Sequence, residues 1–241
     1  MRIDEYIKAD GLAASRSRAK MLIDEGAVSV NGKPITKASY EVREGDAVEV
    51  CDLPYVSRGG LKLEAALSAF SLSPVGCVAL DVGASSGGFT DCLLQKGASF
   101  VFAVDSGTGQ LAPSLAVDPR VRSLENYNAR YMKPEDFEQT PTFAVMDVSF
   151  ISQTLILPAL SCVLPLGATL VSLIKPQFEV GRAYVGRGGI VRDEKAREAA
   201  VARVCDAAHL VGFSSCGVIT SPIRGGDGNV EFLAYFRKVE E

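Results

Sequence analysis

Apolar positions recur along this chain in two rhythms. In the first fifty residues they come in short mixed runs. "SRSRAKMLIDEG" places Ser15 before a run of helix formers through Glu25, with Gly26 where a helix would stop. "AVSVNGKPI" then alternates around Asn31-Gly32, the signature of a two-residue hairpin turn, and "EVREGDAVEV" adds a strand after a Gly45-Asp46 turn. Two helices followed by a small sheet is the expectation for this unit.

"CDLPYVSRGG", residues 51–60, interrupts the pattern with Pro54 and two glycines, and a second rhythm begins beyond it. "LKLEAALSAF" reads as helical. "CVALDV", "SFVFAVD", "VRSL", "TFAVMDV" and "ATLVSLI" are short apolar runs separated by stretches of helical length. That alternation predicts an α/β, doubly wound, mostly parallel sheet of Rossmann-like type with helices on both faces. The last two runs, "FSSCGVITSPI" and "NVEFLAYF", are joined only by "RGGDG", too short for a crossover helix. They should close a seven-stranded sheet as a C-terminal antiparallel hairpin. The division this implies is a small α+β domain at 1–52, a linker at 53–56 and the sheet domain at 57–241.

Composition adds a few boundaries. The chain has 241 residues and is 47% hydrophobic, enough for a sizeable core, and its formal net charge of −4 leaves nucleic-acid contact to local patches. Six cysteines form no C-x-x-C pair, and with the single His209 they complete no zinc set, so no metal site is expected. Most of the cysteines read as small buried hydrophobes in a reducing compartment. "MRIDEYIKADGL" lacks an apolar signal core, which points to the cytoplasm. The uncharged run at 154–174 is long enough to span a bilayer, but Pro158, Pro165 and Gly167 divide it into a short helix, a turn and a strand. His209 lies in a helical run and reads as a packing residue, with no second histidine for a hydrolytic triad.

The chemistry-bearing stretch is "DVGASSGGFTDCLLQKG", residues 81–97. Gly83 and Gly88 have the spacing of a nucleotide-triphosphate loop, with Thr90 in the hydroxyl position, but Phe89 replaces the lysine. Ser85 stands where a dinucleotide fingerprint needs its second glycine. What remains is a tight turn after the first strand of a doubly wound sheet. Asp105 ends the second strand at the separation where an acid receives ribose hydroxyls. A nucleoside cofactor without a phosphate chain satisfies both features, and S-adenosylmethionine is one, its amino-acid end against the loop near Asp81 and Gly83. An ordinary strand-turn-helix with a surface aspartate is the alternative. The candidate cofactor contacts are Asp81, Gly83, Ala84, Ser85, Gly87, Gly88, Phe89, Thr90, Asp105 and Asp147, with Asn126 and Asn128 for the adenine edge.

Four charged residues sit in apolar neighbourhoods: Lys62 in a helix, Asp147 and Lys175 at the carboxyl ends of predicted parallel strands, and Glu231 in the strand "NVEFLAYF". Each taken singly reads as a surface ion pair. Gathered around a nucleoside loop, they suit proton removal from a hydroxyl that then attacks a methylsulfonium carbon. In the first unit, Arg16 and Lys20 are one helical turn apart and can face one phosphate run, extended by Arg18 and Lys33. Arg182 and Arg187, with Phe178 or Tyr184 for stacking, form a second candidate RNA surface.

"SRGGLK", "DVGASSGGFTDCLLQKGA", "DSGTGQL", "DVSFIS", "IKPQFEVG" and "GNVEF" together resemble the TlyA family, ribosomal-RNA methyltransferases once described as haemolysins, whose catalytic domain is FtsJ-like. The resemblance implies a catalytic Lys-Asp-Lys-Glu tetrad on Lys62, Asp147, Lys175 and Glu231, with Lys175 the base. It also implies an RNA-binding domain of the ribosomal-protein S-four type at 1–52, S-adenosylmethionine as cofactor, and a 2′-O-methylated cytidine in ribosomal RNA as product. Family members link their domains by Arg-x-Trp-Val, where this chain reads Leu53-Pro54-Tyr55-Val56. The short amino end resembles the branch that modifies large-subunit RNA alone. Three other readings compete: a membrane-active haemolysin, a non-catalytic RNA-binding protein, and a nicotinamide enzyme, the last disfavoured by Ser85.

Overall fold

The structure is a computed structural model that describes residues 1–13, 15–24, 26–50, 53–225 and 228–240, without the side chains of Met21 and Asp24. The chain divides into two compact units, Met1–Arg58 and Gly59–Glu241.

In the first unit, α1 (Ile3–Ala9) and α2 (Arg16–Asp24) precede a three-stranded antiparallel sheet of β1 (Val28–Val30), β2 (Lys33–Pro34) and β3 (Val48–Val50) in the order β2-β1-β3. Ser15 caps α2, its Oγ accepting the Arg18 N–H at 3.1 Å. At the other end Gly26 takes φ +65°, and the Ala27 N–H bonds the Leu22 carbonyl at 2.8 Å, so the helix ends in the left-handed glycine turn expected of it. Glu25 lies outside the described residues. Asn31 and Gly32 both have positive φ, which gives the hairpin the turn that matches strand twist. The apolar positions of both helices and of β1 converge in one core containing Ile3, Ile7, Ala19, Ile23, Val28 and Val30.

The second unit carries α3 (Gly59–Ala69), β4 (Val78–Val82), α4 (Gly88–Gln95), β5 (Phe100–Val104), α5 (Pro113–Ala116), β6 (Val121–Leu124), β7 (Phe143–Met146), α6 (Leu157–Val163), β8 (Thr169–Ile174), α7 (Pro176–Glu179), α8 (Glu194–His209), β9 (Phe213–Thr220) and β10 (Phe232–Lys238). Its seven strands lie in the order β6-β5-β4-β7-β8-β10-β9. All neighbouring pairs are parallel except those of β10, which runs antiparallel to β8 and β9. The expected hairpin is present, with β10 inserted inside the sheet and β9 at its edge. Strands β7 and β8 are buried throughout, as two-sided coverage requires.

Several expectations change. Helices were expected between every pair of parallel strands, yet one short turn of helix, α5, separates β5 from β6, and two 3-10 turns, Ala129–Tyr131 and Pro134–Asp136, lie between β6 and β7. Glycines at 107 and 109 and prolines at 113, 134 and 141 interrupt those segments too often for a longer helix. Glu231 lies one residue before β10 rather than within it. Of the five described cysteines only Cys92 is buried, and Cys162 and Cys216 are exposed, so the expectation of buried cysteines was too broad; Cys51 lies outside the described residues. His209 ends α8 in an exposed position. The uncharged run at 154–174 forms a 3-10 turn, α6 and β8, and among the described residues no helix is long and apolar enough to cross a membrane.

Candidate active site

The order of the parallel strands reverses between β4 and β7, and at that point the carboxyl ends of neighbouring strands diverge and leave a crevice. A cavity of about 380 Å³ lies there. Of the sequence candidates for cofactor contact, Gly83, Ser85, Asp105, Asn128 and Asp147 line it. Asp81, Ala84, Gly87, Gly88, Phe89 and Thr90 do not; all six are buried behind it. Asn126 is exposed and outside the lining, and its φ of +52° makes it a turn residue.

The loop after β4 is shaped by close approach. Gly83 has φ +87°, and a Cβ there would lie 2.3 Å from the Asp147 carbonyl oxygen, so glycine lets the ends of β4 and β7 meet. Asp105 ties this loop to the one after β5: Oδ2 accepts the Ser85 N–H at 2.8 Å and Oδ1 the Gly107 N–H at 2.7 Å. A carboxylate has about four lone-pair sites, so acceptor capacity remains on the cavity side. Behind the loop, Asp81 is fully buried. Thr90 Oγ1 donates to its Oδ2 at 2.7 Å, while Oδ1 has no hydrogen-bond partner. Burial pushes this carboxyl up to about 7, with the charges of Asp147 and Asp105 adding to the effect and the Thr90 bond opposing it.

Strand register gathers the four charged candidates along one edge. Asp147 follows β7, Lys175 follows β8, and Glu231 precedes β10, whose Phe232 pairs with Ile174. The result is two ion pairs: Lys62 Nζ lies 2.6 Å from Glu231 Oε2, and Lys175 Nζ lies 2.6 Å from Asp147 Oδ1. Lys175 also donates a hydrogen bond to Ser149 Oγ at 2.8 Å. The first pair is nearly closed off, with side-chain exposures of 11% and 2%, whereas Asp147 of the second lines the cavity.

Among the cavity residues that had no place among the sequence candidates are Gln110, Tyr127, Ser149 and Phe150. Phe150 is 91% exposed, has φ +64°, and its ring lies 5.2 Å from that of Phe178. A bulky side chain in left-handed backbone is strained and tends to mark functional positions. In the sequence, "DVSFIS" shows only a serine and a phenylalanine a few residues past a strand end, with no periodicity to mark them.

In the first unit, Arg18, Lys20 and Lys33 are exposed, but Arg16 is spoken for: it pairs with Asp4 at 2.9 Å and Glu5 at 3.3 Å. Arg2 and Arg16 together hold the Asp4 carboxyl down at about 2. Arg182, Arg187, Phe178 and Tyr184 all lie on the segment after β8; Arg182, Arg187 and Tyr184 are exposed and Phe178 is half-buried.

Comparison with known proteins decides the family. The FtsJ-like methyltransferase family matches residues 55–238, and the S4 domain family matches residues 1–48. A 16S/23S rRNA (cytidine-2′-O)-methyltransferase, TlyA of Mycobacterium tuberculosis, is 44% identical, the match covering 98% of this chain and 89% of that one. The chain belongs to the TlyA family of FtsJ-like methyltransferases. Its hemolysin-named relatives fall in the same group. Hemolysin A of Brachyspira hyodysenteriae is 43% identical over 98% of this chain and 99% of its own length. A solved structure named as a hemolysin of Streptococcus thermophilus superposes with a TM-score of 0.80 at 47% identity, covering 100% of this chain and 89% of that one. The TlyA-family assignment thus accounts for both units: a methyltransferase sheet and an S4 domain.

Proposed function

We propose that this protein transfers a methyl group from S-adenosylmethionine to the 2′-hydroxyl of a cytidine in ribosomal RNA, with large-subunit RNA the first substrate to assay. The observation that carries the reading is the Lys175 amine, set between Asp147 and Ser149 at the edge of the crevice. The name of the Mycobacterium tuberculosis relative supports the substrate.

The residues suit the cofactor. Asp105 offers acceptors for ribose hydroxyls at the cavity wall, and Asn128 a polar group for a base edge. The unpartnered Oδ1 of Asp81 is a buried acceptor suited to a cationic amino group nearby. Gly83 keeps the crevice open where a side chain would collide. Bound there, S-adenosylmethionine would supply an electrophilic methyl carbon with a neutral thioether as leaving group. Once its own extra proton has passed to solvent, the neutral Lys175 Nζ takes the proton of the attacking 2′-hydroxyl, so that oxygen forms its new bond to carbon as its O–H bond is lost. Asp147 offsets the positive charge that develops on the amine. Lys62 and Glu231 hold the adjoining part of the edge in place as a buried pair.

RNA would be held by local basic surfaces, Arg18, Lys20 and Lys33 in the S4 unit and Arg182 and Arg187 beyond β8, with Phe150, Phe178 and Tyr184 offering ring faces to bases. Arg16 contributes to folding of the S4 unit through Asp4 and only secondarily to RNA. Ribosomal RNA, free or in a ribosomal subunit, is the expected target. Methyl transfer from labelled cofactor to undermodified particles, with the modified position mapped, tests the reading. A 2′-O-methylcytidine is expected; methylation of a base, or none on any particle, would contradict it.

A further inference from the structure

Lys175 has two close partners, and they act on it differently. Asp147 Oδ1, 2.6 Å away, is the charged partner and balances the amine's charge. Ser149 Oγ, at 2.8 Å, accepts a directed N–H bond. An amine on a four-carbon stem rotates freely about its last bond, and only a directed bond fixes where its remaining positions point.

We infer that Ser149 is a positioning residue for the methyl transfer: its hydroxyl fixes the rotation of the Lys175 amine so that the lone pair faces the incoming 2′-hydroxyl. The inference rests on the reading of Lys175 as the base.

The loop that carries Ser149 is fastened for this task. Next to it, Phe150 holds left-handed backbone at φ +64°, a strain that persists only when surrounding contacts over-determine it. Those contacts follow within three residues. The buried Glu179 carboxylate accepts the Gln153 N–H at 2.8 Å and the Ser152 hydroxyl at 2.5 Å. The buried Gln153 side chain donates to the Leu173 carbonyl at 2.5 Å and accepts from the Ser172 hydroxyl at 2.6 Å. Ser172 and Leu173 lie in β8, and Glu179 ends α7, so both anchors flank Lys175 in sequence. Every bond of this clasp links the loop bearing Ser149 to the segment bearing Lys175, and the distance between hydroxyl and amine is set by both. Ser149 itself is exposed and lines the cavity, so its side chain carries little of the fold.

Single-turnover and steady-state methyl transfer by the full chain on ribosomal particles test this with Ser149→Ala and Ser149→Thr. The alanine variant should lose roughly ten-fold in kcat, the scale of a misdirected catalytic group, with RNA KM, cofactor affinity and Tm unchanged. The threonine variant, which keeps a hydroxyl in the same place, should recover most of the rate. Wild-type kcat in the alanine variant, a threonine variant as slow as alanine, or a change confined to RNA KM would each overturn the inference. Lys175→Ala, assayed alongside, separates the two readings. If it stays active the base is elsewhere; if it is dead while Ser149→Ala is fully active, only the orienting role falls.

Discussion

The two lysine–carboxylate pairs at the sheet edge have the same length, 2.6 Å, and differ in the exposure of the carboxylate. Lys62 and Glu231 are nearly enclosed, and the amine is occupied by a carboxylate that is 2% exposed. Lys175 is about as enclosed as Lys62, but its partner Asp147 is 22% exposed and lines the crevice, and its amine is shared with a hydroxyl. Equal contact distance therefore says little about role. A buried carboxylate holds its amine in place and shapes the local field, whereas one that opens on a cavity acts directly on what binds there.

The sharpest way to break this contrast is to remove one partner from each pair. Glu231→Ala leaves the Lys62 ammonium buried without a partner, and should cost about 3–5 kcal/mol of folding stability, read by denaturant unfolding. Lys175→Ala should leave Tm and cofactor affinity near wild type while kcat falls by about two orders of magnitude or more, the loss expected for a positioned base. A large Tm drop for Lys175→Ala, or none for Glu231→Ala, would erase the distinction. Asp105→Ala is the next largest effect, weakening S-adenosylmethionine by roughly 1–3 kcal/mol in calorimetry through loss of charge-assisted hydrogen bonds.

Asp81 extends the comparison to a carboxyl buried with no cation bonded to it. Unfolded, it ionises near its ordinary 3.8; folded, burial keeps its proton until about 7. The folded state thus binds more protons across that window, and stability falls as pH rises through it and stays lower above it. Asp81→Asn should remove this slope, gaining stability relative to wild type chiefly above pH about 7, as thermal melts across pH will show. A wild-type slope in the asparagine variant would mean that Asp81 ionises normally. The smallest effect lies in the S4 unit, where the same contrast recurs. Arg16 and Lys20 are both exposed, but Arg16 is paired with Asp4. Lys20→Ala should reduce the salt slope of RNA binding by about one unit per lost phosphate contact, and Arg16→Ala should mainly lower the Tm of that unit.

Much of this arrangement is legible in the sequence for physical reasons. Buried parallel strands must be continuously apolar, so "TFAVMDV" and "ATLVSLI" declare themselves, and a charged residue directly after such a run, Asp147 or Lys175, must sit at a strand end. Ser15, Gly26 and Asn31-Gly32 are readable because caps and tight turns demand particular residue types. Ser149 and Phe150 are not, because an exposed serine and phenylalanine after a strand have no periodic signature. Their meaning depends on a long-range bond to Lys175 and on a backbone angle. Arg16 shows another limit: helical spacing aligns it with Lys20, but spacing does not reveal that it also pairs with Asp4, twelve residues earlier.

The most direct test of the central claim, that the open pair performs proton transfer, is the single-turnover methylation rate of Lys175→Arg on undermodified ribosomal particles. A guanidinium preserves the positive charge beside Asp147 but stays protonated and cannot accept a proton. The expected rate is as low as that of Lys175→Ala, with cofactor affinity intact. A rate equal to wild type would show that Lys175 serves only as a positive charge and would contradict the mechanism.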